Sequence, residues 1–279
     1  MFNLRRAGDL MVLQSDLFPV TLKHAFTTRR LAKPDPAGDR PNFRFDSIES
    51  TYKWWIKLRD WLYTPKHVCY CHTQVHGGIV RVLDPDKDVG QPKDVNGFKF
   101  TVLGEGDGII RAFSRTPSFL AITTADCVPM VVYHGESKTV GVVHAGWRSL
   151  AADIPANALR AMQHDLGIPP DEMLWAIGPC IDVRNYEVGN EVIAALESAG
   201  YADSDWRDSE FLDKGWTRSK QRDHFLVNLS ILAAKRLTTL GVRPENIDVS
   251  KLSTYGNPNL FCSYRRDGGI QGLQATVIG

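Results

Sequence analysis

Two short β-branched runs, residues 128–133 and 139–143, flank the polar stretch His134-Gly135-Glu136-Ser137. Apolar runs of that length on either side of a turn signal read as two buried strands of a hairpin. Antiparallel pairing across the turn sets Cys127, entering the first strand, beside His144, leaving the second. After Ala145-Gly146 an apolar periodicity through Trp147, Ile154, Ala158 and Met162 predicts a helix. His144 then occupies a strand-to-helix turn, a place where helix amides can meet an anion.

The rest of the chain follows the same logic. Residues 20–27 read as a strand running into Thr28-Arg29-Arg30, followed by a loop rich in Pro, Gly and Asp up to Asn42. Residues 47–63 carry Trp54, Trp55 and Leu58 near helical spacing, which predicts a helix packed on the core. If residues 67–78 form a strand, alternation puts His72, Gln74 and His76 on one face and Cys69, Cys71, Thr73 and Val75 on the other. Residues 77–99 hold short elements around Asp84-Pro85-Asp86, and the alternating glycines of residues 103–110 predict a turn before a strand. Further on come a strand at 173–180, a helix holding Val192, Ile193 and Leu196, a charged, tryptophan-bearing loop at 201–222 and a helix at 225–240 ended by Gly241. A strand at 247–252 and a last short strand complete the pattern.

With 279 residues, 43% hydrophobic and 23% charged, the chain has enough apolar content for a sizeable core, and no linker divides it, so one domain over 1–279 is expected. A net charge of +1 and the lack of a basic stripe alternating with aromatics argue against nucleic acid and for a small-molecule partner. The amino terminus lacks the apolar core of a signal peptide, and no apolar run of about 18 residues offers a membrane span, so a cytoplasmic location is expected. Five scattered cysteines (Cys69, Cys71, Cys127, Cys180, Cys262) suit reduced thiols better than a disulfide framework.

The chemistry concentrates at Cys127 and His144. As a pair they suit either a thiol nucleophile with its base or two ligands of one soft metal ion. The Cys69-Tyr70-Cys71 pair has no second pair at zinc-ribbon spacing. His76, followed by two glycines, gains meaning only together with the other two. Arg29 and Arg30 are candidates for an anion.

Six stretches in order, Gln74-Val-His76-Gly, Thr124-Ala-Asp-Cys127, His144-Ala-Gly-Trp-Arg148, Ile177-Gly-Pro-Cys180, Tyr186-Glu-Val-Gly189 and residues 261–268 (FCSYRRDG), resemble the motifs of one family. It is the purine nucleoside phosphorylase family, long labelled multicopper polyphenol oxidase or laccase-domain proteins, which includes the peptidoglycan editing factor. The resemblance runs from His24-Ala-Phe-Thr-Thr-Arg29 to the final residues. It implies an α+β single domain with mixed β-sheets flanked by helices, and a zinc ion (Zn2+) held by His76, Cys127 and His144. Two imidazoles and a thiolate suit zinc and leave a fourth position open. It further implies adenosine deamination and phosphorolysis of adenosine, inosine, guanosine or methylthioadenosine, with phosphate as co-substrate. Arg29, Arg148 and Arg265 are the expected phosphate-binding cations and Gln74 an expected substrate contact. Asp126 is expected as a general acid/base or a turn-capping carboxylate. The chain departs from the family pattern at Ser149 and Ser253, and it lacks the Gly-Gly-Val-Ser that usually follows FTTR. Two alternatives are a copper-dependent polyphenol oxidase, which eight histidines without a His-x-His pair suit poorly, and a hydrolase using Cys127 to edit peptidoglycan precursors.

Overall fold

The two β-branched runs do pair, and they form the centre of a layered structure. A computed structural model describes residues 1–86, 91–201, 216–221 and 223–279. Its strands are β1 (Phe2–Ala7), β2 (Leu10–Ser15), β3 (His24–Leu31), β4 (Val68–Thr73), β5 (Val80–Leu83), β6 (Lys93–Val95), β7 (Phe98–Glu105), β8 (Gly108–Arg111), β9 (Ser118–Thr124), β10 (Val128–His134), β11 (Thr139–Ala145), β12 (Leu174–Ile177), β13 (Glu187–Gly189), β14 (Trp216–Arg218), β15 (His224–Val227), β16 (Ile247–Val249) and β17 (Gln274–Ile278). Its α-helices are α1 (Ile48–Leu62), α2 (Trp147–Ala151), α3 (Ile154–Arg160), α4 (Asn190–Ser198), α5 (Leu229–Thr239) and α6 (Tyr264–Asp267).

One sheet has eight strands in the order β1-β2-β3-β17-β9-β4-β7-β6, a second has six in the order β16-β12-β10-β11-β8-β5, and β13-β15-β14 form a small third. Both large sheets are mixed: β4 runs parallel to β7 and β9, β5 to β8 and β12 to β16, while the other neighbours are antiparallel. The alternation along β10 explains how the layers stack. Val131 points into a cluster with Leu13, Phe26 and Leu120 of the large sheet, whereas Met130 and Val132 join Leu159, Leu196 and Leu232 from the helices. The two sheets therefore share one apolar layer, and α2 to α5 cover the six-stranded sheet on its other side. On the outer face of the eight-stranded sheet, Trp54, Trp55, Leu58 and Leu62 of α1 are buried, and Trp55 stacks on Phe45 and Phe98 at 4.4 and 5.5 Å. The tryptophan stripe is thus core, and the fold is the expected α+β arrangement of mixed sheets flanked by helices.

Several local expectations are corrected. The helix predicted from Trp147 to Met162 is broken after α2, because Asp153 takes a left-handed conformation (φ 52°) and Pro155 opens a new helix, which ends in a π-turn at Ala161–Asp165. The Asp153 carboxylate in that break holds Arg236 through two hydrogen bonds of 2.5 and 2.9 Å. The strand expected at 20–27 begins at His24 and carries Arg29 within it. The helix expected from residue 225 starts at Leu229, capped by the Asn228 side chain, because Phe225 and Leu226 pair with β13 and β14 instead. Of the loop expected at 201–222, Trp216–Arg218 form a strand, while residues 202–215 and 222 lie outside the described residues. The hairpin of β1 and β2 has no counterpart in the predicted elements. No described helix is long and apolar enough to cross a membrane.

His24 opens β3 almost fully buried, at 3% exposure. Its Nε2 accepts the Ser15 backbone N–H at 3.0 Å, which requires the neutral ring. Burial, opposed by a hydrogen bond to the Leu22 carbonyl, pulls its pKa down from 6.5 to about 4. The unfolded chain therefore binds the proton first as pH falls. This contribution is complete above pH 6.5 and is lost on acidification toward pH 4, amounting to about 3 kcal/mol at most. Denaturant titrations across that window should show a shallower pH slope for His24→Gln than for the natural chain; equal slopes would remove His24 as the cause.

Candidate metal centre

The hairpin register places the first two side chains of the site. Pairing of Pro129 with His144 and Val128 with Ala145 brings Cys127 opposite Gly146, at the end where both strands leave the sheet. The third side chain arrives from the loop after β4. That strand ends at Thr73, so the expected shared face of His72, Gln74 and His76 does not exist; His76 instead sits in a left-handed turn (φ 57°) that swings its ring across to the hairpin. One ligand atom from each of His76, Cys127 and His144 lies within 4.8 Å of the others, and the two imidazoles meet edge to face at 4.8 Å.

Asp107, which no motif in the sequence singles out, organises this cluster. It lies between β7 and β8 with no exposed surface. Its Oδ1 accepts the His144 Nδ1–H at 2.8 Å and the His76 backbone N–H at 3.0 Å, while Oδ2 accepts the Gly77 N–H at 2.7 Å. One carboxylate thus fixes the His144 ring and the turn that carries His76. With Nδ1 committed as donor, Nε2 of His144 is the free ligand atom, the carboxylate–histidine arrangement common around bound metals. In the sequence Asp107 is one of two acids, with Glu105, that alternate with Gly104, Gly106 and Gly108, and only the fold tells them apart.

Electrostatics favour an ionised sulfur. Burial raises the Cys127 thiol, but the His144 charge and hydrogen bonds from both imidazoles outweigh it and carry the thiol below its usual range. For His144, burial acts downward, and the Cys127 thiolate and Asp107 carry it upward. The other four thiols are buried and shifted the opposite way, Cys180 to about 12. Gly146 makes room for the sulfur: a Cβ there would lie 2.9 Å from Cys127 Sγ and 3.2 Å from the His76 ring. Gly146→Ala is expected to weaken metal binding about tenfold with little change in melting temperature, measured by competition with a chromophoric chelator. An unchanged affinity would show that the ligands do not converge there.

The remaining expected site residues divide. Gln74 clamps β9: its Oε1 accepts the Thr123 N–H at 2.8 Å and its Nε2 donates to the Thr123 carbonyl at 2.9 Å, so its amide is committed to holding the loop. Asp126, in a left-handed conformation (φ 94°), points its carboxylate at Thr254 Oγ1 (2.5 Å), Ser263 Oγ (2.9 Å) and the Arg265 N–H (2.8 Å). These contacts tie the tail turn to the residue before Cys127. Arg148 stacks on Trp147 at 4.3 Å, and Arg265 lies 5.2 Å from the Tyr186 ring while donating to the Glu187 carbonyl. Tyr186 feels the charges of Cys127, Arg265 and Arg148, so its ring lies between the thiol and the two arginines in the electrostatic sense, though neither arginine lines the cavity over the cluster. Arg29 faces a different set of groups, Cys262 and Asp267, and its buried Nε has no partner.

A cavity of about 420 Å³ opens on the cluster, lined by Phe45, Val102, Tyr264, Ile270 and Leu273 together with His72, His76, Cys127 and His144. The fold and this cluster together define a mixed α+β protein with a candidate transition-metal site in the lining of a largely apolar cavity. The chain belongs to the family described as multi-copper polyphenol oxidoreductase laccase, whose model matches residues 23–279. Among curated proteins, purine nucleoside phosphorylase YlmD of Geobacillus stearothermophilus is 30% identical over 226 residues, covering 80% of this chain and 76% of that protein. The purine nucleoside phosphorylases of Deinococcus radiodurans and Bacteroides thetaiotaomicron are 33% and 28% identical, covering 63% and 58% of this chain. The matched stretches span only 61% and 57% of those two proteins. Among solved structures, YlmD of Geobacillus stearothermophilus superposes with a TM-score of 0.81 at 23% identity, covering 100% of this chain and 99% of that one. The Bacillus licheniformis hypothetical protein YfiH also superposes at 0.81, with 24% identity over 99% and 98%.

Proposed function

We propose that the chain is a zinc-dependent purine nucleoside enzyme that cleaves nucleosides with phosphate and deaminates adenosine, with residues 1–279 acting as one catalytic unit. The observation that carries this reading is the convergence of two imidazoles and one thiol, with His144 held by the fully buried Asp107. This donor set fits zinc: one soft sulfur, two borderline nitrogens and a side open to the cavity. His76, Cys127 and His144 would hold the ion, which supplies Lewis-acid polarisation at neutral pH.

The chain's own residues supply the rest. Phe45, Tyr264, Ile270 and Leu273 offer an apolar slot for a flat purine and exclude water from it. Arg148 and Arg265, beside Tyr186, provide cations for phosphate, with Arg29 as a third candidate. Gln74 and Asp126 act as positioning residues, because their polar atoms are already engaged. The relatives named as purine nucleoside phosphorylases support the substrate class.

A second reading is supported by the Cys127–His144–Asp107 sequence of contacts, which also suits a thiol nucleophile with an oriented base. It leaves the second imidazole at the sulfur, His76, without a task. A multicopper centre needs more histidines than the two in this cluster. The deciding experiment measures bound metal and then incubates the protein with adenosine, with and without phosphate. Stoichiometric zinc, with inosine formed without phosphate and adenine plus ribose 1-phosphate formed only with it, is expected. Metal-replete protein that yields neither product would overturn the assignment.

A further inference from the structure

A second cavity, of about 480 Å³, lies at the opposite end of the β10–β11 hairpin from the metal centre. Arg111 pairs with Val140 at the start of β11, four residues before His144, which separates the two places by about 14 Å along an extended strand. Arg111 is 8% exposed. Its Nη1 donates to the Ser118 carbonyl and hydroxyl at 2.8 and 2.6 Å, yet its buried Nε has no partner. No described carboxylate lies within 4.0 Å of the guanidinium. Asp86 nearby is occupied with the Ser114 and Thr116 hydroxyls of the following loop. A guanidinium does not lose its proton in a protein, so this cation stays charged where burial penalises it and no described acid compensates.

The surroundings add positive charge. Arg115 and Lys138 border the same cavity, both exposed. His67 borders it too, and because its Nδ1 accepts the Thr64 N–H at 3.2 Å, its remaining N–H sits on Nε2 as a donor. Phe113, 61% exposed, stands on the rim with Lys138 Nζ 5.4 Å from its ring centre. Three donors, two of them cationic, thus border the cavity together with a guanidinium that no described carboxylate compensates.

We propose that this cavity is a binding site for the phosphate group of a small molecule, separate from the metal centre. The counter-charge that no described residue gives Arg111 is supplied by the ligand through charge-assisted hydrogen bonds, and Arg115 and Lys138 close over it. Free phosphate and a phosphate monoester share this chemistry; the exposed Phe113 ring gives the ester of an aromatic nucleoside an added contact.

The test is calorimetric titration of the metal-loaded protein with inorganic phosphate and, separately, with adenosine 5′-monophosphate. The natural chain is compared with Arg115→Ala/Lys138→Ala and with Arg111→Gln. Binding of at least one probe should weaken about tenfold or more in the double variant, whose two positions are on the surface, while metal content and nucleoside turnover stay unchanged. Tighter binding of the nucleotide, reduced to the level of phosphate by Phe113→Ala, would assign the esterified ligand; equal binding would assign free phosphate. If both probes bind the double variant and Arg111→Gln as they bind the natural chain, or if neither binds at millimolar concentration, the proposal fails. A poorly folded Arg111→Gln leaves the double variant to decide.

Discussion

Replacing Asp107 by Asn is expected to lower metal affinity between about tenfold and a hundredfold and to cost about 3 kcal/mol of stability. The carboxylate accepts three hydrogen bonds with two oxygens: the His144 ring and the His76 amide on one, the Gly77 amide on the other. An amide side chain can present only one acceptor oxygen. Whichever way it turns, its NH2 group faces an N–H donor in a site with no exposed surface. The His76 turn then loses part of what holds its left-handed backbone, and the His144 ring loses the partner that fixes its tautomer. Zinc titration against a chelator, together with denaturant unfolding of the metal-free protein, separates the two losses. A variant that keeps its metal affinity would show that the carboxylate serves the fold alone.

Cys127→Ser is expected to reduce bound metal well below one equivalent and to lower nucleoside turnover by about a thousandfold or more. A neutral hydroxyl replaces the one soft, ionisable donor, and the neighbouring cavity space is unchanged. Alkylation offers an independent check. In metal-free protein at neutral pH, iodoacetamide should label Cys127 before Cys69, Cys71, Cys180 or Cys262, whose thiols burial pushes up. Added zinc should protect it. A serine variant that retains full metal but loses all turnover would favour the thiol-nucleophile reading instead.

The sequence shows the Cys127–His144 pair because both lie on one hairpin, whose β-branched runs and polar turn are local signals. It also shows the α1 stripe, since Trp54, Trp55, Leu58 and Leu62 repeat at helical spacing and are buried together. Long-range geometry is less legible. Period-two alternation continues past Thr73 on paper, but the chain leaves the sheet there, and His76 reaches the cluster through a left-handed turn that no periodicity encodes. Asp107 serves a histidine 37 residues away, so its role appears only once β8 and β11 are side by side. The break at Asp153 is partly legible: Pro155 marks it, while the Arg236 partner that holds it lies 83 residues on. The partners of Gln74 and Asp126, Thr123 for the one and Thr254, Ser263 and Arg265 for the other, lie 49 to 139 residues away, so no motif position announces these contacts.

The strand β17 lies between β3 and β9 in the eight-stranded sheet, with neighbours on both sides. The Ala275 amide is bonded to Thr27, 248 residues away in sequence. Until β17 is in place, β1 to β3 form a detached hairpin meander, and β9, β4 and β7 end in an open edge. Loop closures of this span make assembly slow and leave that edge available to other chains in the meantime. Refolding from denaturant is therefore a task in which concentration matters: dilute chains have time to insert the central strand, and crowded ones meet each other's edges first.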